Sequence, residues 1–132
     1  MHKMQEQHSF EYAVIRVVPK VEREEFMNVG VILYCQSLSF LDALFTLSEG
    51  RLLSLSPNLE MKEIKEHLAA FCNICKGGPE AGPIGKLDMG SRFRWLTATR
   101  STVLQCSRVH PGLSADPALT LKSLHSRLVG EE

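Results

Sequence analysis

The chain carries no surplus of either charge: 15 Lys and Arg face 15 Asp and Glu across 132 residues. A coat for duplex nucleic acid or a polybasic membrane tether needs excess positive charge, so neither fits. No apolar run approaches the ~20 residues of a spanning helix. The opening residues are polar and lack the apolar core of a secretory signal, so none is expected. Nucleotide signatures are missing as well. No Gly-Lys-Ser/Thr ending closes a glycine-rich loop, and no G-x-G-x-x-G follows a strand. Ser101, Thr102, His110 and Asp116 supply the residue types of a nucleophilic triad, but no nucleophile elbow joins them.

What remains is an ordinary globular composition, 44% hydrophobic and 23% charged, at 14.8 kDa. It suits one domain with a core large enough to need no staples. The expected organisation is a flexible tail over 1–10 followed by a single domain over 11–132. Four cysteines, Cys35, Cys72, Cys75 and Cys106, are read as reduced thiols in a cytoplasmic protein.

Tyr12 to Val18 is rich in β-branched residues and apolar on both faces, which predicts a covered central strand. Asn28 to Cys35 is a second such run, and Gly30 inside it predicts a bulge or a close approach by another backbone. After a turn at Gln36 to Ser39, Phe40 to Leu47 reads as a third strand, and Glu49 to Leu55 as a short helical turn. Met61, Ile64, Leu68, Phe71 and Cys75 recur at spacings of three and four, which predicts an amphipathic helix that starts near Pro57-Asn58 and stops at Gly77. The stretch from Gly77 to Gly90 holds five of the nine glycines and is expected to lack regular structure. Ser91 to Ala98 reads as a short helix with the single Trp, Ser101 to Val109 as another strand, and His110-Pro111-Gly112 as a turn. Asp116-Pro117 opens a last helix with Leu121, Leu124 and Leu128 on one face. The order predicts an α+β two-layer sandwich, a mostly antiparallel sheet with two main helices packed on it.

Arg16 breaks the apolar pattern of its strand. It needs a partner or a path to water, and the acidic run Glu22, Glu24 and Glu25 is the obvious supply. The plain reading is a structural ion pair or an arginine that snorkels; the sharper one is an anion-binding arginine. From Lys86 to Arg108 five positive residues face one negative, and Arg92, Arg94, Arg100 and Arg108 interleave with Phe93 and Trp95. A surface helix with core aromatics explains this, and so does a site that binds phosphate and stacks bases. Cys72-x-x-Cys75 with Cys106 and His110 would make a zinc set, but Cys75 falls in the apolar stripe, and two structural cysteines suffice. No metal or cofactor is expected.

The segments Y-A-V-I-R-V-V-P-K-V-E-R-E-E-F-M-N-V-G-V-I-L-Y (12–34), G-G-P-E-A-G-P-I-G (77–85) and R-F-R-W-L-T-A-T-R-S-T-V-L-Q (92–105) together resemble the bacterial domain-of-unknown-function family 3037. The resemblance runs from Tyr12 to Leu128 and implies a small single-domain protein with no established activity. Its members are similar to proteins often encoded beside a kinase-like protein of the toxin–antitoxin type, which implies a partner by association. Arg16, Glu22, Arg23, Glu25, Asn28, Gly30, Trp95, Arg100, Ser101, Thr102 and His110 match the family pattern. Cys106 stands where members usually have threonine, which argues further against a metal ligand there. Arg108 and Thr99 each stand in place of a usual proline.

The expected function is therefore a non-enzymatic interaction or regulatory module for a kinase-like protein partner. Its candidate binding residues are Arg16, Glu22, Glu25, Asn28, Arg94, Trp95, Arg100 and His110. The alternative is a nucleotide- or single-stranded nucleic-acid-binding protein that uses 92–108. A homodimer stays open, and an enzyme in which Arg16 and Glu22/Glu25 act on an anionic substrate is a third reading.

Overall fold

A computed structural model describes residues 6–98 and 102–130. Strand β1 (His8–Val17) pairs antiparallel with β2 (Met27–Cys35), and β2 with β3 (Phe40–Phe45). The other side of β1 is shared by two short strands, both antiparallel to it. β5 (His110–Ser114) covers its first half and β4 (Leu104–Cys106) its end. Ala13, Ile15 and Val17 are fully buried on one face of the sheet, and the middle of β2 is sealed on both faces. That double burial makes these two strands the spine of the fold.

Of the tail expected over 1–10, residues 1–5 lie outside the described set and residues 8–10 are strand. His8, Ser9 and Phe10 already pair with Ser114, Leu113 and Gly112, because β5 gives them a backbone partner. The turn expected at His110-Pro111-Gly112 is likewise strand. Proline is tolerated there because β5 is an edge strand, where a missing N–H can face away from the ladder. The strand expected over 101–109 shrinks to β4, and its first residue lies outside the described set.

Between β4 and β5 the edge breaks, and Ser107 repairs it. Its Oγ accepts the Val14 N–H at 2.8 Å, while its own N–H donates to the Val14 carbonyl at 2.8 Å. Both backbone groups of a buried residue are thereby satisfied where the ladder is interrupted.

Both readings of Gly30 hold. The β1–β2 register slips beside it, with Ile15 opposite Gly30 and Arg16 opposite Asn28, which leaves Val29 as the extra residue of a bulge. A Cβ on Gly30 would lie 2.6 Å from Phe45 Cδ1 and 2.7 Å from the Leu44 carbonyl oxygen.

Helices α1 (Glu49–Leu55), α2 (Met61–Lys76) and α3 (Met89–Thr97) belong to one face. The stripe Ile64, Leu68, Phe71 and Cys75 of α2 packs with Ile32, Ile15 and Phe93 into the larger core cluster. The glycine-rich stretch before α3 is ordered: 3-10 turns over Pro79–Lys86 kink at Gly82 (φ 72°) and fold back so that the Gly78 N–H meets the Gly85 carbonyl. Helix α4 (Pro117–Leu128) is capped by Asp116, whose carboxylate accepts the Leu119 N–H. Its Leu121 and Leu124 pack with Phe10, Val31, Leu33 and Cys35 in a second cluster on the opposite face.

The protein is thus α+β with an antiparallel sheet. Its two main helices do not share a face, as the two-layer expectation required; they sandwich the sheet from either side, because β1 and β2 have two apolar faces to cover. No helix among the described residues is long and apolar enough to cross a membrane.

Two stability effects follow. Gly30→Ala meets a backbone carbonyl that cannot swing away, and urea unfolding should show a loss of about 1–3 kcal/mol. Ser107→Ala strands the buried Val14 N–H, and the same assay should show a loss of about 1–3 kcal/mol with the far-UV spectrum retained.

Candidate binding surfaces on the sheet

The residues singled out by sequence fall into separate places. On the α4 face, Arg16 lies opposite Asn28 on β2 and Gln105 on β4, so three polar side chains form a row across three strands beyond the last turn of α4. Asn28 Nδ2 donates to the Leu128 carbonyl at 3.1 Å, which ties the row to the end of that helix. Gln105 Nε2 donates to the Thr102 carbonyl.

The ion pair expected between Arg16 and the acidic run does not form. Glu25 pairs with Arg23, two residues away in sequence, and Glu22 is exposed. Arg16 instead stacks its guanidinium 4.1 Å from the centroid of the Phe26 ring. Phe26 precedes β2 by one residue and falls on the same face as Asn28, diagonally across from Arg16. Arg16 Nε and Asn28 Oδ1 are buried and have no hydrogen-bond partner among the described residues.

His110 is on this face too, its ring 5.2 Å from that of its register partner Tyr12. Arg16 lies four residue steps along β1 from Tyr12, about 13 Å, so His110 and Arg16 share a surface without meeting. Arg100 lies outside the described residues.

Arg94 and Trp95 belong to α3, against the other face. Asp88 caps this helix by accepting the Ser91 N–H at 2.7 Å, and that bond holds its carboxyl below the usual carboxylate range. Gly90 lets the helix come close to the sheet: a Cβ there would sit 3.0 Å from both Tyr34 Oη and Arg94 Nη1. Beside Tyr34 an open groove of about 830 Å³ runs over Ser9, Glu11, Pro111 and Gly112. A second, of about 490 Å³, continues past Gln36 to Ser91 and Arg94. Trp95, the next residue, is 40% exposed. Sequence reasoning passed over Tyr34, Glu11, Phe26 and Gln105, since each looks like an ordinary member of its strand or loop until the pairing is known. The alternation in His110 to Ser114 was the one available hint of β5.

Part of the basic segment is structural. Arg92 Nε donates to the Ile74 carbonyl at 2.9 Å and Nη1 to the Leu87 carbonyl at 2.7 Å, so it caps the C-terminal end of α2. It also packs where a Cβ on Gly77 would be, with Arg92 Cζ 2.9 Å from that point, and Gly77 has φ 76° besides.

The family pattern "Protein of unknown function (DUF3037)" matches residues 12–129. The chain belongs to this family. No curated protein and no solved structure matches the chain. Within this DUF3037 protein the site must therefore be read from its own chemistry.

The thiols offer little of it. Burial pushes Cys75 up to about 12, reinforced by the neighbouring Cys72 and by Asp42 and opposed by Arg92. Cys72 is raised as well, by burial first. Neither supplies a thiolate near neutral pH. Among the described residues no three His, Cys, Asp or Glu side chains come together as a metal would need.

Cys75 has a stability consequence. Its proton is held in the folded state to about 12, whereas the unfolded thiol loses it near 9. Above pH 9 the unfolded state binds fewer protons, so stability falls as pH rises from 9 towards 12. Urea midpoints measured across that window should decline in the wild type, and less steeply in Cys75→Val.

Proposed function

We propose that this DUF3037 protein is a non-enzymatic interaction module that docks another protein chain on the β5 side of its sheet. The observation that carries this reading is the exposure of β5. Among the described residues the strand pairs only with β1 and contributes no residue to either core cluster, and it displays Leu113 at 66% exposure opposite Ser9, which lines the Tyr34 groove. An exposed apolar side chain close to an open groove is the composition of a docking surface. Pro111 removes one donor from the strand, which disfavours addition of a partner strand and favours recognition through side chains.

The partner we propose is the kinase-like protein encoded beside members of the family, in a bacterial cytoplasmic setting. Single-stranded nucleic-acid binding has less support, because Arg92 is committed to α2 and Arg94 lines a groove together with the acidic Asp88.

A pull-down of that neighbour with the full chain tests the reading. The wild type should bind at micromolar concentration, and Leu113→Asp should weaken binding by about tenfold or more. Leu119→Asp on α4, where the side chain is 64% exposed, should leave binding intact. Both variants should match the wild type in stability to within about 0.5 kcal/mol. Absence of wild-type binding, or undiminished binding by Leu113→Asp, would overturn it. Salt-sensitive capture of single-stranded nucleic acid, abolished by Arg94→Ala with Trp95→Ala, would move the protein to the other class.

A further inference from the structure

We propose that Arg16 and Asn28 form a binding site for a protonated phosphate group, on the sheet face opposite the Tyr34 groove. Three observations converge on it. The Arg16 guanidinium is positively charged and half-buried, and among the described residues no carboxylate pairs with it; Glu25 of the acidic run is taken by Arg23. Its Nε–H is a buried donor without an acceptor among the described residues. Directly across the β1–β2 ladder, Asn28 Oδ1 is a buried acceptor without a donor among the described residues.

The Asn28 amide cannot simply be turned to resolve this. Its Nδ2 donates to the Leu128 carbonyl, and a carbonyl there accepts only from the nitrogen. Each orphaned atom keeps its desolvation penalty while it stays unpaired. Register partners on antiparallel strands have Cα atoms about 5 Å apart, so one small group can reach both.

The chemistry of that group is constrained from both ends. Arg16 calls for an anionic oxygen, taken side-on through the guanidinium fork. Asn28 Oδ1 calls for a hydrogen-bond donor on the same group. A carboxylate or a sulfate offers acceptors only near neutral pH. A monohydrogen or dihydrogen phosphate offers both an anionic oxygen and an O–H. Phe26 lies across the guanidinium plane and is itself 46% exposed at the start of β2, so it can yield to admit the group. Gln105, on the other flank of Arg16, closes the row.

Nitrogen-15-labelled full-length protein, titrated with sodium phosphate, sodium sulfate and sodium acetate at constant ionic strength and pH 7, tests this. The readout is the Arg16 Nε–H resonance. Phosphate should shift it saturably, with an affinity about tenfold or more above those of sulfate and acetate. Arg16→Gln should lose phosphate binding by about tenfold or more, and Arg16→Lys, which keeps the charge but not the fork, should lose it too. Asn28→Ala should bring phosphate and sulfate to similar affinities.

A parallel titration with O-phosphoserine at pH 6, where its second proton is partly retained, distinguishes the source. Tighter binding than inorganic phosphate assigns the site to a phosphorylated side chain; weaker binding assigns it to the free ion. An Arg16 Nε–H unmoved by phosphate, or moved equally by sulfate, would overturn the proposal and leave the two atoms bridged by a buried water. If either arginine variant fails to fold, the wild-type comparison of phosphate with sulfate decides alone. Docking at β5 stands or falls independently, since Leu113 is on another strand.

Discussion

Everything in this fold hangs on the ladder between β1 and β2. Both strands carry apolar side chains on each face, so neither is stable until both faces are covered. The larger cluster under α2 and α3 covers one face, and α4 covers the other. The bulge at Val29 and Gly30 follows from the same constraint. One extra residue keeps Val29 in the larger core while Asn28 faces α4, and the absent side chain of Gly30 lets Phe45 and the Leu44 carbonyl close over the slip.

The candidate sites arise where this covering ends. α4 packs on β2 and β3, so the polar row through Arg16 emerges beyond its last turn. α3 meets β2 at Tyr34 through Gly90, and the sheet between that contact and β5 is left as a groove. The two surfaces are chemically unlike. One is a broad recess, with an exposed leucine opposite its Ser9 wall; the other is a narrow row of three polar side chains, with an aromatic ring over its arginine. A broad recess suits a protein surface, and a pair of mismatched hydrogen-bonding atoms suits a small group.

Much of the fold was readable locally. The stripe of α2, the Asp116-Pro117 opening of α4 and the double-faced runs of β1 and β2 are short-range patterns, and each specifies its element without reference to the rest. The errors were all errors of partnership. His8 to Phe10 and His110 to Gly112 look like tail and turn because neither is a strand alone; each becomes one when the other supplies its hydrogen bonds. The glycine-rich stretch looked irregular because 3-10 turns have no hydrophobic period, and its order comes from the fold-back between Gly78 and Gly85. Arg16 was rightly marked as odd, but its neighbour was misassigned. Proximity in sequence favours the acidic run Glu22, Glu24 and Glu25, whereas the strand register delivers Phe26, Asn28 and Gln105.

The amino-acid order alone determined the α+β class, the two central strands, the principal helices and the oddity of Arg16, because periodicity and caps act over a few residues. Tertiary structure decided which helix covers which face, that β5 exists at all, and that His110 and Arg16 share a surface without meeting. Those outcomes depend on pairings between segments a hundred residues apart, such as Ser107 with Val14 or Leu128 with Asn28. No local pattern encodes a hydrogen bond whose two halves are that far separated along the chain.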